Sequence, residues 1–366
     1  MSLPRSENLM RRLGMAAPLL LSPMAGVADA ALAIAVARAG GLGAIAAATL
    51  SIEQLHEQTR RFRDAVDAPL NLNFFAHTVS PPSPADIERW RAALAPLHEQ
   101  LGLSLPTQVA AGRQPFDEEA LAAVEALRPQ VVSFHFGLPD ASLLERVKAT
   151  GAFVLSSGTT VAEASWLQAR GADAIIAQGW EAGGHRGMFL DTDVGAQVGT
   201  LSLLPQIVDA VEVPVIAAGG IADGRGLAAA LMLGASAVQV GTAFLRSPEA
   251  RTSPAHRAAL ATSTDDATRV TNVFTGRPAR GLLNRLMREL GPMSSEAIAF
   301  PYAGSLLAAL REHDPGGDFV PLWAGQSAPL AKAMGAEEIT RGMIDEALDV
   351  LRDTGVSSAS WAAKRS

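Results

Sequence analysis

The sequence contains no cysteine, a single tyrosine and only 5% aromatic residues over 366 positions. Disulfides, thiolate nucleophiles and thiolate metal sites are therefore excluded, and we expect a cytoplasmic protein. Basic charge is also scarce, because the formal net charge is −7 and no basic stripe is present. A nucleic-acid partner is therefore not expected. The histidine spacings HxxxH and HExxH are absent as well, so no metal site is predicted.

Long apolar runs are missing too. The apolar stretch from 15 to 50 is interrupted by Pro23, Asp29 and Arg38. A transmembrane helix needs about 20 consecutive apolar residues, and the first 15 residues lack the apolar segment of a signal peptide. We therefore expect no membrane partner and interpret the stretch as two buried strands around one helix.

The most informative segment is 213–245, whose pattern predicts a strand, a helix and a second strand. The first strand ends at Gly219 and Gly220, and the second ends at Gly241 and Thr242. In (β/α)₈ barrels a phosphate often lies after strands seven and eight, where backbone N–H groups can bind an anion. These four residues are therefore predicted to bind a cofactor phosphate; tight turns without a ligand are the alternative.

The same alternation of apolar strands and helices extends over residues 1–246. The predicted strands lie near 19–24, 42–47, 69–75, 131–136, 153–158, 174–179, 213–218 and 237–240. Strands separated by helices predict a parallel sheet, and eight units favour closure into a TIM barrel of the α/β class.

The pattern changes after the eighth strand. Residues 247–320 are polar, contain several prolines and glycines, and show no strand of the earlier kind. They are predicted to form a smaller, mainly helical accessory lobe on the substrate side of the barrel mouth. Residues 321–366 are predicted to return as C-terminal helices that close on the barrel.

Two histidines follow predicted barrel strands, at the end where barrel enzymes carry out catalysis. His185 comes after paired glycines behind strand six, and its unperturbed pKa of about 6.5 suits proton transfer. A loop histidine bonded to a backbone carbonyl is the alternative. His135 alternates with Phe134 and Phe136 at the end of strand four, so it could line the pocket or be a core histidine.

Two further polar residues are candidates. Asn73 lies near the end of strand three, where a buried amide needs hydrogen-bond partners. The edge of a bound flavin could supply them, and local capping of a loop is equally consistent. Tyr302, in the accessory lobe, could bond a substrate over the mouth, although packing is the simpler interpretation.

Several segments together resemble the nitronate monooxygenase family, formerly called 2-nitropropane dioxygenase, in its bacterial FMN-dependent form. They include SPMAGVAD (22–29), NLNFF (71–75), SFHFGLP (133–139), AQGWEAGGHRGMF (177–189), the segment 214–245 and LWAGQ (322–326). The combination of AQGWEAGGHRG with the glycines after strands seven and eight is specific, and the match covers nearly the whole chain.

The resemblance implies that the barrel, residues 1–246, binds FMN non-covalently over its mouth. His185 matches a family histidine near flavin and substrate, and His135 matches a second active-site histidine. Tyr302 is the only tyrosine in a lobe where bacterial relatives often have several aromatic residues. The residues expected to contact FMN are Pro23, Met24, Asn73, Gln178, Gly183, Gly219, Gly220, Gln239, Gly241 and Thr242.

The implied reaction oxidises an alkyl nitronate, or a nitroalkane, with O₂ to a carbonyl compound and nitrite through a flavin semiquinone. His185 would stabilise the nitronate anion, or remove the α-proton of a neutral nitroalkane. The alternative is an FMN-dependent enoyl-[acyl-carrier-protein] reductase, which uses NAD(P)H and shares EAGGH and AAGGIADG. A homodimer is the default assembly.

Overall fold

A parallel barrel forms the centre of the computed structural model, which describes residues 4–110 and 112–353. Its strands are β1 (Leu19–Leu21), β2 (Gly43–Ala46), β3 (Leu70–Phe75), β4 (Val131–His135), β5 (Phe153–Gly158), β6 (Ala174–Gln178), β8 (Val215–Ala218) and β9 (Ala237–Val240). They follow the order β1-β9-β8-β6-β5-β4-β3-β2. The Leu42 carbonyl accepts from Leu21 N at 2.9 Å, which joins β2 to β1 and closes the ring. The predicted TIM barrel is confirmed.

Helices cover the outside of the barrel. They are α2 (Ala30–Arg38), α3 (Ile52–Ala65), α4 (Pro84–Gln100), α5 (Glu118–Leu127), α6 (Ala141–Ala149), α7 (Val161–Ala169), α8 (Thr200–Ala210) and α9 (Gly224–Met232). Side chains of Asp29, Ser51 and Asp223 accept hydrogen bonds from the first-turn N–H groups of α2, α3 and α9. These caps satisfy donors that a helix otherwise leaves free, and so fix where each helix begins.

The N-terminal end of the barrel is closed by a helix that the sequence analysis did not predict, α1 (Pro4–Leu13). Leu9 and Leu13 form one buried cluster with interior side chains such as Phe153 and Ile176. The first helix was missed because its few apolar positions lie among charged residues. Since this end is filled, a ligand can enter only at the carboxyl ends of the strands.

The lobe after β9 contains a small antiparallel sheet in addition to helices. Its strands are β7 (Gly184–His185), β10 (Thr268–Thr271) and β11 (Ala279–Leu282), in the order β10-β11-β7. The sequence analysis expected no strand of the barrel kind after 246, and β10 and β11 differ from the barrel strands in being short and antiparallel. Arg269, Arg280 and Gly281 interrupt the apolar alternation that identifies a strand. Because β7 follows β6, the sheet ties the lobe to the barrel loop that carries His185.

The remaining helices are α10 (Pro254–Ala261), α11 (Arg285–Leu290), α12 (Ala308–Glu312) and α13 (Ala336–Asp353). The lobe core also includes α4, whose Trp90 packs beside Phe274 and donates from Nε1 to the Ala303 carbonyl at 3.1 Å. The domain boundary near 246 remains a prediction. Because α4 packs into the lobe core, the lobe is built from two separate parts of the chain. C-terminal helices were predicted for 321–366; the first part of this segment forms only the short turn Ala328–Leu330, whereas α13 packs against α2 and α9. Positions 354–366 lie outside the described residues.

No helix in the described part of the chain combines the length and apolarity that a membrane crossing needs.

Candidate functional site

A cavity of about 310 Å³ opens at the carboxyl ends of the barrel strands. It brings together residues from every predicted motif. The predicted site residues that line it are Pro23, Met24, Asn73, His135, Gln178, Gly183, His185, Gly219, Gly220, Gln239, Gly241 and Thr242. Residues more than 200 positions apart in the sequence thus meet at the end of the barrel that α1 does not fill.

Tyr302 does not join this group. Its ring is half-buried against the apolar core of the lobe, and it precedes the short helix at 303–307. Phe300 is a lobe residue that does approach His185, with its ring centroid 5.5 Å from that of the histidine. The prediction that Tyr302 contacts substrate therefore gains no support from its position.

The loop that carries His185 is held by a buried arginine. Arg186 is fully buried, and its guanidinium donates to the carbonyls of Gly179 at 2.7 Å and Gln178 at 3.0 Å. Burial, with a smaller effect of Arg280, lowers its pKa to about 9. The backbone N–H of Arg186 also donates to the Pro278 carbonyl at 2.8 Å. Both ends of the loop are therefore fixed, which sets the direction of the neighbouring histidine.

The His185 ring lies in an apolar and cationic environment. Its Nε2 is 2.9 Å from Thr275 Oγ1, and the rings of Phe300 and Trp323 are within 5.6 Å of it. Desolvation by the surrounding protein, followed by the charge of Arg113, lowers the pKa of His185 well below its ordinary value. The ring is therefore neutral at neutral pH, and the expectation of a pKa near 6.5 is not met.

His135 contacts protein groups through both ring nitrogens. Nδ1 lies 3.0 Å from Ser157 Oγ, and Nε2 lies 3.2 Å from the His185 carbonyl. A carbonyl can only accept, so Nε2 carries the proton and the Ser157 hydroxyl donates to Nδ1. Burial lowers the pKa of His135 to about 3. These bonds suit a residue that positions the His185 backbone, and they leave no free nitrogen for proton transfer.

Gln178 reinforces the same backbone. Its Nε2 donates to the His185 carbonyl at 2.9 Å, and its Oε1 accepts from Gly187 N at 2.7 Å. Asn73 Nδ2 donates to both Ser133 Oγ at 2.9 Å and the Ser133 carbonyl at 3.2 Å. Both amide hydrogens of Asn73 are thus used, and only its Oδ1 is left for a ligand.

Gln239 offers a polar atom that the protein itself does not satisfy. Its Oε1 is buried and has no hydrogen-bond partner among the described residues, yet Gln239 lines the cavity. A buried acceptor without a donor is unfavourable, so a native site usually supplies one from water or ligand. The position fits a cofactor that brings an N–H group.

Glycines let three loops approach one another beside this atom. Gly219 and Gly220 have φ values of +116° and +74°, which side chains rarely allow. A Cβ on Gly183 would lie 2.5 Å from Gly325 N. Gly325 N in turn donates to Thr242 Oγ1 at 2.9 Å. The resulting surface is largely backbone, which fits the phosphate site predicted from the strand ends.

Several lining residues were not assigned from the sequence. Arg113, His256 and Ser327 belong to no recognised motif, and Trp323 lies in the LWAGQ segment but was given no role. The match of LWAGQ to the family was the sequence signal that could have identified Trp323 as a site residue. Glu181, in the loop that carries His185, has a structural role. Its carboxylate accepts from Thr200 N at 2.8 Å and so caps α8.

Known proteins share this arrangement over nearly the full length. The family model described as nitronate monooxygenase matches residues 6–346. A nitronate monooxygenase of Pseudomonas aeruginosa is 39% identical over 349 residues, covering 93% of this chain and 99% of that protein. One from Paraburkholderia phytofirmans is 38% identical over 338 residues, covering 90% and 92%.

Solved structures agree with these relatives. The nitroalkane oxidase from Streptomyces ansochromogenes superposes with a TM-score of 0.87 at 36% identity, covering 95% of this chain and 99% of that one. FabK from Thermotoga maritima gives a TM-score of 0.73 at 28% identity, covering 95% and 97%. The family match includes the barrel, the lobe and most of α13. The chain therefore belongs to the nitronate monooxygenase family.

Proposed function

We propose that this protein binds FMN in the cavity and oxidises alkyl nitronates with O₂ to a carbonyl compound and nitrite. The observation that carries the proposal is the charge of the lining. Arg113, exposed at the rim, is the one permanently charged side chain there, and no carboxylate lines the cavity in the described part of the chain. Such a site favours an anion, and membership of the family identifies the nitronate as that anion.

The residues present fit FMN. The partnerless Oε1 of Gln239 can accept from an N–H of the flavin ring. Gly183, Gly219 and Gly220 leave backbone groups free of side-chain cover, as a phosphate requires. When bound, the flavin would supply the electron transfer between nitronate and O₂.

His185 acts in this proposal as a hydrogen-bond donor. Accepting a proton would create a cation, which desolvation and the charges of Arg113 and Arg277 disfavour. The neutral ring is therefore a poor base for the α-proton of a nitroalkane. In the proposed tautomer the Thr275 hydroxyl donates to Nε2 at 2.9 Å, so the single N–H is on Nδ1. This N–H can donate to a nitronate oxygen and favour charge at that position. The substrate is accordingly the nitronate formed before binding.

The aromatic residues around His185 strengthen that hydrogen bond. Phe75, Phe300 and Trp323 have ring centroids within 6.2 Å of the His185 ring. Their apolar surfaces exclude water, and electrostatic interactions gain strength where water is excluded. Phe75 also lies under the Arg113 guanidinium, whose carbon is 5.9 Å from the ring centroid. The rim arginine is thereby placed on the route of an entering anion.

An anaerobic visible spectrum of the purified protein, supplemented with FMN, tests the proposal. A preformed short alkyl nitronate should change the flavin absorption, and O₂ should restore it with release of nitrite. The neutral nitroalkane should react far more slowly because the neutral His185 is a poor base for its α-proton. Loss of absorption with NADH, without a response to nitronate, would favour the enoyl-[acyl-carrier-protein] reductase. A protein that takes up no flavin would contradict both functions.

A further inference from the structure

A third histidine lines the cavity and has no part in the chemistry above. His256 lies in the first turn of α10 and is 6% exposed. Its Nε2 is buried and has no hydrogen-bond partner among the described residues. Burial lowers the pKa of His256 to about 4, although a hydrogen bond to the backbone of Trp323 opposes the shift. The ring is therefore neutral at neutral pH.

The position of its single proton follows from that bond. A backbone hydrogen bond that raises the pKa of a histidine must come from an acceptor, so the Trp323 group is its carbonyl and the ring nitrogen that faces it carries the hydrogen. Nε2 has no partner, hence this nitrogen is Nδ1 and Nε2 presents a lone pair. A buried acceptor in this state is unfavourable, and a water or a ligand in the cavity can supply the missing donor.

The helix holds His256 in a fixed place. Ser253 Oγ accepts from His256 N at 3.2 Å and caps α10. The next residue, Arg257, donates from its guanidinium to the carbonyls of Ser247 at 2.8 Å and Thr252 at 3.2 Å. The start of α10 is thus bonded to the segment that follows β9, which fixes the backbone from which the His256 ring extends.

The lone pair on His256 Nε2 determines which ligand groups can bind there. A nitronate group offers oxygen acceptors only, which a second acceptor does not bind. FMN carries ribityl hydroxyls and a ring N–H, all of them donors. We propose that His256 is a further FMN-binding residue, whose Nε2 accepts a hydrogen bond from a hydroxyl or N–H group of the cofactor. The inference rests on the proposed function, since it requires FMN in this cavity.

His98 provides a matched comparison within the chain. Its Nδ1 is 3.0 Å from the Leu94 carbonyl, its Nε2 is buried without a partner among the described residues, and the side chain is 1% exposed. It lies on α4 in the lobe and is not part of the cavity lining. A partnerless nitrogen alone therefore does not define a binding residue, and the cavity position of His256 is what distinguishes it.

The test is a fluorescence titration of flavin-free protein with FMN. We expect His256→Leu to weaken FMN binding about tenfold, as loss of one hydrogen bond from a buried partner predicts. His256→Gln, whose Oε1 can accept, should remain within about twofold of wild type. His98→Gln should bind FMN as wild type does. Circular dichroism of each flavin-free variant checks that it is folded.

A second measurement uses the unaltered protein. In ¹⁵N-labelled wild type, the Nε2 resonance of His256 should shift when FMN is added, while that of His98 stays in place. Wild-type affinity in His256→Leu, or an unchanged Nε2 resonance at saturating FMN, would overturn the assignment and leave the proposed function intact. Failure of the wild type to bind FMN would overturn both together.

Discussion

At the scale of single residues, the proposed chemistry depends on the N–H of His185. Replacing His185 with Ala removes this donor without opening the glycine surface that would hold the phosphate. We expect FMN affinity to be retained and kcat/KM for an alkyl nitronate to fall about 10²- to 10³-fold, the usual effect of losing one oxyanion donor. Oxygen consumption with a preformed nitronate measures the loss.

His313→Ala is the control, because His313 is exposed, its ring Nδ1 bonds the Ala309 carbonyl at 3.0 Å, and it does not line the cavity. It should show wild-type kinetics. Wild-type kcat/KM in His185→Ala would reject the donor role, and loss of FMN from that variant would mean that the ring holds the cofactor instead.

Residue positions could be predicted from the sequence, but their protonation could not. His185 and His135 follow strand ends, and this alone placed both at the barrel mouth. The pKa of His185 depends on desolvation and on Arg113 and Arg277, which come from distant parts of the chain. His256 was missed because no motif surrounds it, and its free nitrogen becomes evident only once α10 packs beside Trp323.

At the scale of elements, the predictions were correct where a residue pattern is compatible with only one type of secondary structure. Most of the barrel strands are short apolar runs, many of them ended by glycine, and a strand buried on both faces has that pattern. β10 and β11 lack it because Arg269 and Arg280 lie within them. Arg280 is nevertheless buried, and its Nε donates to the Trp180 carbonyl at 3.1 Å. Its partner is an element distant in sequence, which local patterns do not show.

The close approach of two loops gives an element-scale prediction. In Gly183→Ala, the added Cβ would lie 2.5 Å from Gly325 N and 2.6 Å from the Ala324 carbonyl carbon. Backbone atoms cannot move aside as a flexible side chain can, so the two segments must separate. We expect FMN affinity to fall at least about tenfold and the free energy of unfolding to fall by about 1–3 kcal/mol. Fluorescence titration and urea denaturation measure the two effects.

Gly342→Ala is the matched control in α13. Gly342 is exposed, and an added Cβ would meet nothing within 4 Å. This change should raise the free energy of unfolding by up to about 1 kcal/mol through helix propensity and leave FMN affinity unchanged. If Gly183→Ala binds FMN as tightly as wild type, the contact between the two loops does not shape the cofactor site.

At the scale of the whole molecule, the site lies between two closed regions. α1 fills one end of the barrel, and the lobe covers the other end through the β7–β11 pairing, in which His185 is opposite Ala279. The residues that desolvate the site therefore come from both the barrel and the lobe. Loosening the lobe should expose His185 and its neighbours to water together.

This desolvation predicts how stability depends on pH. Burial is the main cause of the lowered pKa values of His77, His135, His185 and His256, which reach about 3 for His135 and about 4 for His256. In the unfolded chain these histidines titrate near about 6.5. Below that pH the unfolded chain binds protons that the folded protein does not. The stabilisation is thus complete above about pH 7 and is lost as the pH falls towards the folded values.

We expect the free energy of unfolding to fall between pH 7 and pH 5, by up to about 1.4 kcal/mol per pH unit for each such histidine. Urea denaturation over this range measures the slope while most carboxylates remain ionised. His135→Asn should be less stable than wild type at pH 7. Its free energy of unfolding should fall less steeply with pH, because one histidine that binds a proton only in the unfolded chain has been removed. An equal slope in both proteins would show that His135 titrates alike in the folded and unfolded chain, and that the surrounding protein does not desolvate it.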